Sequence, residues 1–207
     1  MKQERILQKA RLYIRKNFIA EPTGHDFYHM ERVAGVALYI AKQEKRGNKF
    51  VIELAALLHD IEDSKFSKTH EDLSMTKKLL AGWGIEKKLL DFVIQIIRSV
   101  SFKGGKNKYV ADSYEAKVVQ DADRLDALGA VGIARCFAYG ASKRRPIYDP
   151  ARKSIGNSLD HFYEKLVLLK GLMKTRTGRI LAKERHDFLI KFLDRFLNEW
   201  NFKSKKL

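Results

Sequence analysis

Residues 51–58 read Val-Ile-Glu-Leu-Ala-Ala-Leu-Leu, a nearly continuous apolar run that ends on His59 and Asp60. A helix of this composition has no polar face over most of its length, so it has to be covered on every side and belongs at the middle of a bundle. Ending such a helix on two adjacent metal-binding side chains is costly unless they have something to coordinate. The pair points to a metal centre.

The rest of the chain supports an all-α bundle. Only three prolines occur, at positions 22, 146 and 150, and most apolar residues repeat at three and four positions. Helices are predicted over residues 3–17, from near Asp26 to about Gly47, over the run ending in His59-Asp60, and over 71–81, 86–100, 114–137, 158–174 and 179–202. The last of these places Leu189, Phe192, Leu193, Phe196, Leu197 and Trp200 at helical spacing, which reads as core packing. The expected organisation is a single domain over residues 1–207, with the motif-bearing core at about 20–140 and C-terminal helices at about 158–202 packed on it.

At 207 residues a chain can bury about 70% of the surface its unfolded form exposes, enough for a core without staples. A single cysteine, Cys136, excludes an internal disulfide and fits a reducing compartment. The start, Met1-Lys2-Gln3-Glu4-Arg5, leads into an amphipathic pattern rather than a secretory stretch, and no run approaches the roughly 18 apolar residues of a membrane span. These features set the expectation of a cytoplasmic protein with no membrane partner. A net charge of +16 suits phosphate-bearing ligands, from nucleotides to nucleic acid, without separating them.

A mixed nitrogen and oxygen metal site needs neutral imidazoles and ionised carboxylates converging from rigid elements. His59 and Asp60 supply two groups from one helix end. His29, among apolar positions of the preceding helix and followed by Arg32-Val33, is the third candidate; His25, in the glycine-flanked approach to that helix, is expected to support a ligand or face substrate. The fourth comes from Gln120-Asp121-Ala122-Asp123-Arg124-Leu125-Asp126, three carboxylates in an otherwise apolar helix. Asp123 and Asp126 share a face and Asp121 points elsewhere, but spacing alone leaves Asp121 and Asp123 both open.

His25-Asp26-Phe27-Tyr28-His29-Met30-Glu31-Arg32-Val33, His59-Asp60 and Ala122-Asp123-Arg124-Leu125-Asp126 together resemble the H...HD...D signature of HD-domain metal-dependent phosphohydrolases. In that family the last ligand is the aspartate of an Ala-Asp pair, so the resemblance selects Asp123 and implies the ligand set His29, His59, Asp60 and Asp123 in an HD-type helical bundle. Ser101-Phe102-Lys103-Gly104-Gly105, Ile147-Tyr148-Asp149-Pro150 and His161-Phe162-Tyr163-Glu164-Lys165 are similar to a bacterial subgroup resembling nucleotide pyrophosphohydrolases.

Two histidines and two carboxylates leave a six-coordinate ion with open positions for water and phosphate oxygens, unlike a closed structural zinc site. Mn2+ is the preferred ion, with Mg2+, Fe2+ and Ni2+ as alternatives. Asp63, four residues after His59, lies on the same face of a continued helix and could act as general base; the family's similar position is a glutamate, which leaves the role open between Asp63 and Glu62. Because the ligands roughly neutralise the ion, an anionic substrate needs further cations. Lys65, Lys103 and Arg124 are the first candidates, with Lys165, Lys106, Arg144 and Arg145 behind them. His70, His161 and His186 are expected to be structural or solvated, with His161 the exception because Tyr163 and Lys165 are close in sequence.

The resemblance thus implies hydrolysis of (deoxy)nucleoside triphosphates to monophosphate and pyrophosphate through a metal-activated water. A second reading keeps the site and acts on nucleoside monophosphates, cyclic nucleotides or oligonucleotides; Ala138-Tyr139-Gly140-Ala141 departs from the Gly-Tyr-Pro signature of cyclic dinucleotide phosphodiesterases. A non-enzymatic reading makes the chain a metal-stabilised nucleic-acid-binding protein, which explains the charge but leaves the open coordination positions unused.

Overall fold

The computed structural model describes residues 2–62, 73–100, 109–151 and 156–202. Asp63, Lys65, His70, Lys103 and Lys106 lie outside these residues, as does the tail from 203 onward. The order is α1 (Lys2–Phe18), α2 (Phe27–Gln43), α3 (Lys49–Leu58), α4 (Ser74–Gly82), α5 (Lys87–Val100), α6 (Tyr114–Asp126) and α7 (Gly129–Ser142). A composite segment follows, a π-helical turn at Phe162–Leu166, α8 (Val167–Leu169) and a 3-10 turn at Lys170–Leu172, before α9 (Arg176–Trp200). Among the described residues no strand occurs and no helix is long and apolar enough to cross a membrane.

The apolar run forms α3, started by Asn48, whose side chain accepts the Val51 amide at 3.2 Å. Leu54, Ala55, Ala56, Leu57 and Leu58 have no exposed surface, because α1, α2, α5 and α6 surround them. Burying each leucine contributes roughly 1.5–3 kcal/mol. The one charged residue within the run, Glu53, is held by Arg11 of α1 at 2.6 Å.

The long helix predicted over 114–137 is two helices. Leu128 is extended (φ −113°, ψ 160°) and Gly129 adopts φ +71°, a conformation that only glycine takes readily. The break lets Leu128 drop into the core, 1% exposed, and turns α7 away from α6. Arg185 of α9 donates to the Leu125 carbonyl at 2.6 Å, satisfying one of the acceptors left at the end of α6. α7 then runs so close to the break that a Cβ at Gly132 would lie 2.2 Å from the Ala127 carbonyl carbon.

α9 begins earlier than its apolar stripe, because Thr175 caps it by accepting the Gly178 amide at 2.9 Å. It packs against α6 and α7. The expected helix over 158–174 is the composite segment, whose π-helical turn buries Phe162 and Leu166 in the core.

Candidate metal centre

Asp26 caps α2 by accepting the His29 amide at 2.7 Å, which sets His29 one turn into the helix and points it at α6. The His29 ring is completely buried, with Nδ1 2.7 Å from Asp126 Oδ2. His59, at the end of α3, places Nδ1 2.8 Å from the Ala56 carbonyl. A carbonyl can only accept, and so can an ionised carboxylate, so each ring carries its proton on Nδ1. Both Nε2 atoms face inward, where a bound cation would take their lone pairs in place of a proton.

They face Asp60 and Asp123. His29 Nε2 is 3.2 Å from Asp60 Oδ2 and 3.6 Å from Asp123 Oδ1; His59 Nε2 is 3.4 Å from Asp60 Oδ1 and 3.6 Å from Asp123 Oδ1. None of these approaches has hydrogen-bond alignment at the imidazoles: His29 Nε2, His59 Nε2 and Asp60 Oδ2 are all buried without a partner. Orphaned polar atoms of this kind are expensive. Donors each about 2.1–2.2 Å from one ion sit roughly 3 Å apart at neighbouring positions, so the spacing suits a shared divalent cation. His29, His59 and Asp123 offer ligand atoms all within 4.8 Å of one another.

The charges agree with that arrangement. Burial draws the His59 imidazole down, but the carboxylates of Asp60 and Asp123 and the Ala56 carbonyl outweigh it and raise the ring from 6.5 to about 9. Burial likewise works against the charged forms of Asp60 and Asp123, and the neighbouring histidines override it, holding both well below the usual carboxylate range.

Beside the centre lies a cavity of about 120 Å³, walled by Thr23, His25, Arg135, Tyr139, His161 and Lys165 among others. His25 joins the two: its ring meets His29 edge-on at 5.5 Å and Tyr139 at 6.3 Å. Glu21 accepts from the Thr23 hydroxyl at 2.8 Å, and Thr23 Oγ1 is 3.1 Å from His25 Nδ1, so the approach to α2 orients this ring. The π-helical turn brings Lys165 to the same wall, and His161 stands just before that turn.

Other sequence candidates go elsewhere. Arg124 is buried and donates to the Leu172 carbonyl at 2.5 Å, tying α6 to the 3-10 turn. The Glu62 carboxylate accepts from the Met75 amide, the Thr76 amide and the Thr76 hydroxyl at 3.1, 2.7 and 2.5 Å, so it holds the start of α4. Asp121, left open by spacing, accepts from the backbone of Lys174 and Thr175 and is not among the clustered donors.

Sequence reasoning missed the part played by Asp126 and Arg135. The sequence shows Asp126 as a carboxylate three residues from Asp123 in an otherwise apolar helix, but Arg135 sits in a different helix that the apolar pattern merges with α6. Arg135 donates to Asp126 at 2.9 Å and to the Gly24 carbonyl at 2.6 Å.

The HD domain family model matches residues 26–128. The uncharacterized protein YpgQ of Bacillus subtilis (strain 168) is 40% identical over 195 residues, 93% of each chain. The crystal structure of Bacillus subtilis YpgQ in complex with ADP superposes with a TM-score of 0.77 at 39% identity, covering 93% of this chain and 96% of that one. A structure described as an HD-superfamily hydrolase from Bacillus thuringiensis gives a TM-score of 0.73 at 41% identity, covering 97% and 99%.

Proposed function

The chain belongs to the HD-domain superfamily of metal-dependent phosphohydrolases, and from that premise we propose that it hydrolyses (deoxy)nucleoside triphosphates to monophosphate and pyrophosphate. The observation that carries the reading is the convergence of two unpartnered imidazole Nε2 atoms and an unpartnered Asp60 oxygen beside a cavity walled by Lys165, His161 and His25. The ADP held by the related YpgQ supports a nucleotide as the ligand class.

His29, His59, Asp60 and Asp123 hold the divalent ion, Mn2+ before Mg2+, Fe2+ or Ni2+. When bound, such an ion polarises a phosphate oxygen and lowers the pKa of water. The remaining work falls to the chain. Lys165, with His25 and His161, neutralises the phosphate chain from the cavity wall, while Arg124, occupied by Leu172, serves the fold. Lys65 and Lys103 complete the cationic set from the segments flanking α4 and α5.

Since Glu62 is engaged at the start of α4, Asp63 is the better base: it takes a proton from water as the oxygen forms a bond to the α-phosphorus. The bond from that phosphorus to the bridging oxygen breaks, and pyrophosphate leaves with the electron pair. Phosphorus NMR of Mn2+-loaded protein with a nucleoside triphosphate should show monophosphate and pyrophosphate, with 18O from labelled water in the monophosphate. Release of orthophosphate would reject the reaction.

A further inference from the structure

We propose that Asp126 is the positioning residue of the metal centre, fixing the tautomer and direction of His29 from a seat held by Arg32 and Arg135; this rests on His29 being a ligand. The two histidines are supported in different ways. His59 is oriented from within its own helix end, by the Ala56 carbonyl. His29 has no such acceptor and depends on a carboxylate 97 residues away in sequence.

Asp126 is 2% exposed and receives four donors. Arg32 reaches it from one turn beyond His29 on the same face of α2, with Nε 2.8 Å from Oδ1 and Nη2 3.0 Å from Oδ2. Arg135 comes from α7, with Nη1 2.9 Å from Oδ2. His29 Nδ1 is the shortest contact, at 2.7 Å. A carboxylate gripped by a two-point fork and a second guanidinium cannot turn to follow the ring, so the ring must conform to it.

The consequence reaches the ion. With a proton held on Nδ1, Nε2 is the ring atom left to coordinate an ion, on the side of Asp60 and Asp123. Arg135 also holds the Gly24 carbonyl and forms part of the cavity wall. The same guanidinium therefore fixes the approach to α2, the seat of the positioning carboxylate and one side of the pocket.

The test measures Mn2+ binding by calorimetry without nucleotide, so it is separate from the choice of substrate. Asp126→Asn keeps the size of the side chain but loses its charge, and should weaken Mn2+ about 10- to 100-fold. In 15N-histidine-labelled protein loaded with diamagnetic Zn2+, wild type should show a strongly downfield Nδ1 proton for His29. In Asp126→Asn that signal should move upfield while the His59 signals stay in place, a change that general loosening would not confine to one ring. A folded Asp126→Asn with wild-type Mn2+ affinity, or an unchanged His29 signal, overturns the proposal. If circular dichroism shows that this variant does not fold, Arg32→Lys replaces it: losing the fork should weaken Mn2+ several-fold, and unchanged affinity overturns the proposal equally. A wild type that binds no divalent ion instead overturns the ligand assignment, and the role of Asp126 falls with it.

Discussion

Asp121 and Thr175 are joined by two hydrogen bonds to one oxygen: the Thr175 amide at 2.7 Å and its hydroxyl at 2.8 Å both end on Asp121 Oδ2. The hydroxyl then caps α9 through Gly178. A carboxylate two residues from Asp123, which faces the histidine pair, is thereby committed to holding the C-terminal helix.

Asp121→Ala and Asp123→Ala should therefore fail differently. Removing Asp121 leaves the Lys174 and Thr175 donors short of an acceptor and should cost about 2–4 kcal/mol in urea denaturation, with Mn2+ still bound by the folded fraction. Removing Asp123 should abolish Mn2+ binding in calorimetry. Loss of binding in folded Asp121→Ala would contradict this division.

Glu62 and Asp63 separate in the same way. Glu62→Ala removes the acceptor for the Met75 and Thr76 amides and should lower stability by about 1–2 kcal/mol, seen as a reduced Tm, with most of the turnover of the folded protein retained. Asp63→Asn should keep Tm and reduce kcat by about 10²- to 10⁴-fold. Full activity in Asp63→Asn would return the base to another group.

The pH dependence of the metal-stripped protein follows from His59. Its pKa is raised in the fold, so its contribution is complete below 6.5 and is lost as pH climbs through about 9. Asp60, Asp123 and Asp126 are held low, so their contributions are present above the ordinary 3.8 and are lost as pH falls through their depressed values. Stripped protein should be most stable between these limits. An ion at the centre takes His59 neutral, so the Tm difference between Mn2+-loaded and stripped protein should widen from pH 6 to pH 9 in a thermal melt.

Gly132→Ala tests the break between α6 and α7. The added carbon would meet the Ala127 carbonyl carbon at 2.2 Å and its oxygen at 2.3 Å, backbone atoms that cannot swing aside. Overpacking of this kind should cost about 1–3 kcal/mol by chemical denaturation. A variant as stable as wild type would show that α7 can slide freely.

Much of this arrangement was legible in the chain. The nearly continuous apolar run points to α3 at the centre, and the family resemblance picks out His29, His59, Asp60 and Asp123, whose side chains the fold brings to within a few ångströms of one another. The break at Leu128-Gly129 was not legible, because Leu128 continues the apolar pattern and one glycine in a helix is an ambiguous signal. Arg135 is hidden with it, because nine positions along one straight helix would put its side chain out of reach of Asp126. The fate of Glu62 was hidden for another reason: its partners, Met75 and Thr76, lie 13 and 14 positions downstream, beyond any periodicity.

The last two turns of α6 give three carboxylates three separate targets, Asp121 the backbone that leads into α9, Asp123 the Nε2 atoms of the histidine pair, and Asp126 His29 Nδ1 with the guanidiniums of Arg32 and Arg135. Inserting one residue between Asp121 and Asp126 would rotate whatever follows by about 100° relative to whatever precedes. No single compensating shift could restore all three targets, so the spacing of this short segment acts as a gauge that the rest of the molecule is built to match.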